Sequence, residues 1–313
     1  MEQAKKELEI IVVDDGSSDR TGNIADAYAL LDARIRVFHK ENGGATSARL
    51  YGAMRAEGDY IGFVDGDDTI EKDMYEHLFK NAIAYEADIS HCGYQMIFPN
   101  GKKRKYYGTG KRVIQDQKKG LFDLIHATEI EPAVVTKLYK RELVEQLILD
   151  GKMDGHFKIH EDMLMNFYLF QKSKKAIYED ICLYHYQIRK GSAAMTKRTI
   201  HNLKDPVEVT MRILEEAKGE DVALFFLAKE RWLQQMINIC ALPESSLGRK
   251  ERIYQRQIKR QLRAEIKQVL LEKQIGKKVR IKAGCVSLFP KSYRLIHRIY
   301  AKMTGIDRAY EIE

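Results

Sequence analysis

Two short apolar runs, each followed at once by acidic turn residues, constrain the fold of this chain more than any other feature. The first run is EIIVV at 9–13, followed by DDGSSD, and the second is YIGFV at 60–64, followed by DGDD. A continuous apolar run of this length is too short for a buried helix and suits a strand covered on both faces. The pattern therefore predicts buried strands whose carboxyl ends carry acidic side chains.

Helical segments alternate with these runs and with a third short strand, RIRVFH at 34–39. Good N-cap residues at 17–19 precede the helical segment NIADAYALL, and a second helical segment, ATSARLYGAMRAEG, follows the turn NGG. This β-α-β-α-β order predicts an α/β fold with a doubly wound, mostly parallel sheet that binds ligands at the carboxyl ends of its strands. Both acidic turns lie at such ends.

The rest of the chain divides into two parts by pattern and charge. Strands and helices continue to the extended stretch ICLYHYQIR, whereas the pattern from about residue 200 onward is helical. Residues 249–313 contain 18 Lys or Arg and only 6 Asp or Glu. We therefore predict an α/β domain over 1–195 and a helical, basic region over 196–313.

Composition excludes several classes of protein. No apolar run approaches the roughly 20 residues that span a bilayer, and the first residues lack the apolar stretch of a signal peptide, so we expect a cytoplasmic protein. The four cysteines are far apart and lack the CxxC spacing of metal or redox sites, which favours buried, reduced thiols. They are Cys92, Cys182, Cys240 and Cys285.

The acidic turns are candidates for chemistry. Asp65 and Asp67 are two residues apart in an extended segment, so they point to the same side about 7 Å apart at the Cα atoms. Hard cations such as Mg²⁺ or Mn²⁺ use one or two carboxylates together with substrate phosphates, although surface turns also often contain such a pair. Asp14 and Asp15 fit either turn and cap chemistry or the binding of a base or ribose.

Read together, EIIVVDDGSSDRTG, NGGATSARLYGAMRAEGDYIGFVDGDD, HED and LYHYQIRKGS resemble the family 2 glycosyltransferases of bacterial surface-polysaccharide synthesis. The resemblance covers roughly residues 8–192. It implies a GT-A fold, a nucleotide-sugar donor that is commonly UDP-linked, a divalent metal, and inversion at the anomeric carbon. The acceptor implied is a hydroxyl of a glycan or of a lipid-linked sugar.

The resemblance also implies roles for residues on the donor side. Asp15 matches the carboxylate that binds the donor's base, and Arg49 lies in the helix on the nucleotide side. Asp65 matches the first carboxylate of the DxD motif, near ribose and metal, and Asp67 matches the one that coordinates Mn²⁺ or Mg²⁺ directly.

On the acceptor side, the pair Glu161-Asp162 matches the family's ED motif, in which the Asp is the usual catalytic base. Without the resemblance, both are ordinary first-turn carboxylates that favour a helix N-terminus. Two further residues on the donor side, Arg189 and Ser192, match the lid that meets the diphosphate of the nucleotide sugar, a role that the bidentate fork of Arg suits. His185 stands where many relatives have Tyr. A core or surface histidine is a simpler interpretation of it than a ligand of metal or phosphate.

The sequence departs from the family pattern at one place, before the run EIIVV. Relatives have a strand and a helix before EIIVV, so the sheet is expected to be N-terminally truncated, and a catalytically silent binding or membrane-associated fragment is the alternative function. Donor binding distinguishes the two.

The segment KSYRLIHRIYAKM, in the basic region, has an apolar face and basic residues elsewhere. This segment fits two roles: it could bind an anionic membrane surface, on the inner face of the plasma membrane, or it could pack on the α/β domain. Nucleic-acid binding is not expected.

Overall fold

The computed structural model describes residues 3, 7–105, 108–127, 130–153, 155–189, 199–219, 221–293 and 295–296. The chain divides into two compact units, Met1–Gln187 and Ile188–Glu313. The boundary predicted from the sequence, between residues 195 and 196, lies outside the described residues.

The first unit begins with a small parallel sheet. Strands β1 (Ile10–Asp14) and β2 (Ile35–His39) pair in parallel, with Ile10 opposite Ile35 and Asp14 opposite His39. Helix α1 (Thr21–Leu31) connects the two strands, and α2 (Ala45–Ala53) follows β2. These four elements match the β-α-β-α part of the predicted alternation, and they place Asp14 and Asp15 at the carboxyl end of β1.

A larger, seven-stranded sheet forms the rest of the first unit, in the order β3-β8-β5-β9-β4, with β6 beside β5 and β7 beside β9. Its strands are β3 (Tyr60–Gly62), β4 (Thr69–Ile70), β5 (Ile89–Ile97), β6 (Lys103–Lys105), β7 (Arg112–Asp116), β8 (Lys137–Lys140) and β9 (Lys175–Gln187). Its helices are α3 (Met74–Ala84), α4 (Gln117–His126), α5 (Arg141–Leu149) and α6 (Glu161–Lys172), and a 3₁₀ turn, Val134–Thr136, precedes β8.

The direction of the strands differs from the prediction. The α/β class is confirmed, but the sheets are mixed: of the seven strand pairings among the described residues, only β1 with β2 and β5 with β9 are parallel. The physical reason is that a continuous apolar run reports burial on both faces and carries no information about strand direction. The turn in NGKKRK joins β5 to β6, and the two strands pair antiparallel as a hairpin.

The core of the first unit is centred on α6. Eight consecutive residues of this helix, from Met163 to Phe170, are buried. A helix that is apolar nearly all round is expected to lie inside the protein rather than on its surface. The N-terminus of α6, which carries Glu161 and Asp162, is therefore held in place by packing along two turns of helix.

A groove separates the two sheets of the first unit. Among the described residues, β1 has β2 as its only strand neighbour and β3 has only β8, so one edge of each strand is unpaired. A cavity of about 300 Å³ lies there, lined by residues of β1, α2 and β3 and, at one end, by Asp65 and Gly66.

The second unit is helical, as predicted. Its helices are α7 (His201–Glu216), α8 (Val222–Ala241), α9 (Arg249–Leu271) and α10 (Lys277–Leu288), with a 3₁₀ turn at Glu244–Ser246. None of the described helices is long and apolar enough to cross a membrane. Most of the predicted basic amphipathic segment at 291–303 lies outside the described residues, so its membrane role stays a prediction.

Candidate active site

The centre of the site is an arginine that joins two sequence-distant carboxylates. Arg49, on α2, donates from Nη2 to Asp65 Oδ1 at 2.8 Å and from Nη1 to Asp162 Oδ1 at 2.6 Å. The side chain of Arg49 is only 11% exposed. Burial alone would lower the pKa of Arg49, but the charges of Asp162 and Asp65 outweigh it and raise the pKa. The guanidinium therefore stays charged between the two carboxylates.

Glu161 lies at the edge of this cluster. Its carboxylate is 3.6 Å from Arg49 Nη1, and its side chain is 15% exposed. Burial, followed by the charge of the adjacent Asp162, raises the pKa of Glu161 to about 7. Of the two first-turn carboxylates of α6, Asp162 has the shorter ion pair with Arg49.

The backbone that precedes α6 is strained. His160 has φ +64, in the left-handed region that residues with a Cβ atom adopt only at a cost. Such outliers cluster at functional sites because the surrounding structure must hold them in place. Here the unusual residue immediately precedes the Glu161-Asp162 pair.

The second oxygen of Asp162 is fixed by the backbone. Asp162 Oδ2 accepts a hydrogen bond of 3.1 Å from the amide of Val134, in the 3₁₀ turn before β8. Each carboxylate oxygen thus has one protein donor and keeps a further lone pair for another group. Sequence reasoning missed Val134, because a backbone amide leaves no trace in the residue type.

Asp15 organises the turn that begins α2. Its carboxylate accepts from Lys40 Nζ at 2.5 Å and from the amides of Gly43 and Gly44 at 3.0 and 2.7 Å. Burial alone would raise the pKa of Asp15, but these hydrogen bonds outweigh it and lower the pKa. Gly44 has φ +84, a conformation that requires glycine. The role of Asp15 in binding a nucleotide base stays a prediction.

The DGDD turn after β3 contains two kinds of carboxylate. Asp67 is exposed and Asp65 is part-exposed, whereas Asp68 accepts from the hydroxyl of Tyr184 at 2.6 Å and from the amide of Gln187 at 2.8 Å. Burial raises the pKa of Asp68. Asp68 thus holds the turn against β9, and the side chains of Asp65 and Asp67 remain accessible to solvent.

The remaining predicted residues are placed as follows. His185 lies in β9, 3.0 Å from Glu71, and burial lowers its pKa, which fits a neutral structural histidine. Arg189 is exposed and belongs to the second unit. Ser192 lies outside the described residues. The structure therefore brings together Arg49, Asp65 and Asp162 from the predicted set.

Comparison with known proteins supports the family resemblance seen in the sequence. The profile of the family described as Glycosyl transferase family 2 matches residues 1–148. The chain is 33% identical over 222 residues to glycosyltransferase GlyA of Streptococcus pneumoniae serotype 4, covering 68% of this chain and 31% of GlyA. The chain thus spans less than a third of that relative's length.

Two further comparisons cover more of the partner. Glycosyltransferase GlyG, also of S. pneumoniae serotype 4, is 30% identical over 238 residues, covering 72% of this chain and 76% of GlyG. The crystal structure of S. aureus TarS in complex with UDP-GlcNAc has a TM-score of 0.69 at 19% identity, covering 96% of this chain and 85% of that chain. The TarS likeness shows the GT-A type of fold, and the match to GlyG over most of its length shows that this chain belongs to glycosyltransferase family 2.

Proposed function

We propose that this glycosyltransferase moves a sugar, with inversion, from a UDP-linked donor to a hydroxyl of a glycan or lipid-linked acceptor in surface-polysaccharide synthesis. One observation carries the proposal: a single buried guanidinium, that of Arg49, contacts both Asp65 and Asp162. The carboxylate expected on the donor side and the carboxylate expected to act as base are therefore only one side chain apart. The crystal structure of TarS with UDP-GlcNAc supports the choice of donor.

Asp162 has the surroundings that a general base requires. An inverting transfer needs a group that takes the proton of the acceptor hydroxyl as that oxygen attacks opposite the leaving diphosphate. Arg49 and the Val134 amide each hold one oxygen of Asp162, so the carboxylate has a fixed direction while lone pairs remain available. Its place at the start of the buried helix α6 adds rigidity.

The residues of the DGDD turn fit a divalent cation that is bound jointly with a diphosphate. No group of three or more His, Cys, Asp or Glu that could hold a metal by itself occurs in the described part of the chain. Mg²⁺ and Mn²⁺ sites in enzymes of this kind need only one or two carboxylates, because substrate phosphates and water complete the shell. Asp67 and Asp65 would hold the ion, and its charge would stabilise the leaving diphosphate.

Calorimetric titration of UDP tests the donor and the metal together. UDP is expected to bind in the presence of Mn²⁺ or Mg²⁺, to bind much more weakly in excess EDTA, and to bind more weakly to Asp67→Ala. Asp73→Ala is the matched control, since Asp73 is an exposed aspartate that makes no side-chain cap hydrogen bond at the start of α3.

The outcomes separate the parts of the proposal. Equal UDP affinity in Mn²⁺ and in EDTA would contradict the proposed metal ion and would leave UDP as the proposed donor nucleotide. Absence of binding by UDP under every condition would favour the alternative of a silent binding protein. Equal losses in Asp67→Ala and Asp73→Ala would show that the DGDD turn has no specific role.

A further inference from the structure

We infer that Lys137, a buried lysine on β8, is a positioning residue that holds the 131–136 loop so that Val134 can orient Asp162. The inference rests on the proposed role of Asp162 as the base. It concerns a residue that lies in the apolar context VVTKLY and whose ammonium hydrogen-bonds to Glu131, Ala133 and Thr136.

Lys137 has unusual surroundings for a lysine. Its side chain is fully buried, and burial lowers its pKa to about 8. Its ammonium donates to the carbonyls of Glu131 and Ala133 at 2.6 and 2.7 Å, and to Thr136 Oγ1 at 3.2 Å. A lysine seldom lies fully inside a protein unless it is paired, so such a site needs several acceptors. The three acceptors lie in one loop, which the ammonium therefore gathers around itself.

Further hydrogen bonds fix the same loop against α6. Thr136 Oγ1 donates to the carbonyl of Ala133 at 3.2 Å. Asn166 Nδ2 donates to the carbonyl of Pro132 at 2.6 Å and to that of Asp162 at 3.0 Å, while Tyr139 donates to Asn166 Oδ1 at 2.7 Å. The three donor side chains, those of Thr136, Tyr139 and Asn166, are buried.

The 131–136 loop thus reaches Asp162 through one backbone amide. Between the carbonyls that Lys137 binds on one side and the hydroxyl of Thr136 on the other lies Val134, whose amide donates to Asp162 Oδ2. A displacement of a catalytic group by about 1 Å can cost about 10²-fold in rate. Loss of the Lys137 ammonium should therefore reduce turnover, although Lys137 does not touch the reacting atoms.

The experiment compares Lys137→Met with wild type in two measurements. The first is the Mn²⁺-dependent release of UDP from UDP-GlcNAc, for which we expect kcat to fall about 10- to 100-fold with a KM for UDP-GlcNAc within about twofold of wild type. The second is amide hydrogen exchange by NMR, in which Lys137→Met should speed exchange of the Val134 amide relative to wild type more than it speeds exchange of the amides of β8 and α6.

Two further variants separate positioning from stability. Leu138→Ala removes a buried side chain from the same strand without removing a donor to the 131–136 loop, so it should lower the melting temperature and leave kcat near wild type. Thr136→Val is nearly isosteric and removes only the hydroxyl, so it should fold even if Lys137→Met does not. For Thr136→Val we expect a smaller fall in kcat and selectively faster exchange of Val134.

Each result decides whether Lys137 positions the 131–136 loop or only stabilises the fold. Selective exchange at Val134 together with a fall in kcat supports the inference. Exchange that rises uniformly, as in Leu138→Ala, or an unchanged kcat in a folded Lys137→Met or Thr136→Val protein with active wild type, overturns it. If Asp162→Asn keeps its turnover, the proposed function fails instead, and selective exchange at Val134 would still show that Lys137 holds the loop.

Discussion

The two sheets of the first unit differ in how completely they are buried. Every residue of β1 is part-exposed, and α1 buries none of its eleven residues; Ile24, Tyr28 and Leu31 of α1 are 46–78% exposed. In the larger sheet, seven of the nine residues of β5 are buried, and α6 packs eight consecutive buried residues nearby. The small sheet therefore has less packing to stabilise it.

The candidate site draws on both sheets. Asp15 follows β1 and the glycine turn that it binds follows β2, both in the small sheet, whereas Asp65 follows β3 of the larger sheet and Asp162 lies at the start of α6. Within the described part of the chain, Arg49 forms ion pairs with Asp65, after β3, and with Glu161 and Asp162, at the start of α6. Because local stability follows local burial, the donor-side turn should be the more easily disordered half of the site and the base the more rigid half.

The largest expected effect tests the rigid half. Asp162→Asn keeps the shape of the side chain but removes the basic oxygen, so kcat for transfer should fall by roughly 10²–10⁴-fold while UDP affinity changes little. Turnover of UDP-GlcNAc and calorimetry with UDP measure the two quantities. Asp116→Asn is the control, because Asp116 caps α4 and Asn can cap equally well. Near-normal turnover in Asp162→Asn would place the base elsewhere.

The next effect concerns the groove between the sheets. The edges of β1 and β3 that face the groove have no strand partner among the described residues, so a strand placed between them would form backbone hydrogen bonds worth about 0.5–1.5 kcal/mol each, against a net stability of about 5–15 kcal/mol. An N-terminal extension of roughly 30 residues, carrying an apolar strand and a helix, should pair with both edges. We expect it to raise the melting temperature and strengthen UDP binding.

A matched extension with Lys in place of the apolar strand residues should do neither, because it cannot fill a groove lined by apolar side chains such as Ile11 and Val13. The comparison between the sheets would break if the chain without any extension proved to be a stable monomer that binds UDP tightly. In that case the open edges of β1 and β3 would not limit the small sheet.

A third, smaller effect sets pH dependence in the larger sheet. The folded pKa of Glu161, about 7, exceeds its ordinary value of 4.5, so the folded protein holds a proton that the unfolded chain has lost between these pH values. Stability should therefore fall as pH rises from about 4.5 to 7. Glu161→Gln removes this dependence and should be more stable than wild type at pH 8 by on the order of 1–3 kcal/mol, with little difference at pH 4.

Thermal unfolding across this pH range measures the effect. Glu142→Gln serves as the control, since Glu142 occupies the equivalent first turn of α5 but is 75% exposed. A difference between Glu161→Gln and wild type that is the same at pH 4 and pH 8 would contradict the assigned cause.

The sequence predicted the parts of the site that depend on residue type and periodicity. Apolar runs that end in acidic turns pointed to Asp15 and Asp65, whereas Asp162 was indicated only by the resemblance of HED to the family's ED motif. The strand directions were not predictable, because burial does not encode direction. Lys137 and Val134 were missed for another reason: their contacts reach Asp162 through carbonyl and amide groups, which every residue carries.

The smallest effect belongs to the small sheet. His39, at the end of β2, lies 3.0 Å through Nδ1 from Asp14 and 3.0 Å through Nε2 from Asp26, so it links β1, α1 and β2. Hydrogen bonds to Asp14 and then Asp26 raise the pKa of His39 above 6.5. Its stabilising contribution is therefore fully present below pH 6.5 and is lost as pH rises through the raised value.

This loss should be local, because the small sheet shares few packed groups with the larger one and the His39 side chain is 49% exposed. Amides of β1 and β2 should exchange faster in His39→Gln than in wild type at pH 6, after correction for intrinsic rates, and the difference should vanish at high pH. Amides of β5 should not respond in either protein. His126→Gln, which changes an exposed histidine in the last turn of α4, should leave both sheets unaffected. If His39→Gln instead loosened β5 as much as β1, the two sheets would unfold as one cooperative body, and the separation of the site into a rigid and a less stable half would be wrong.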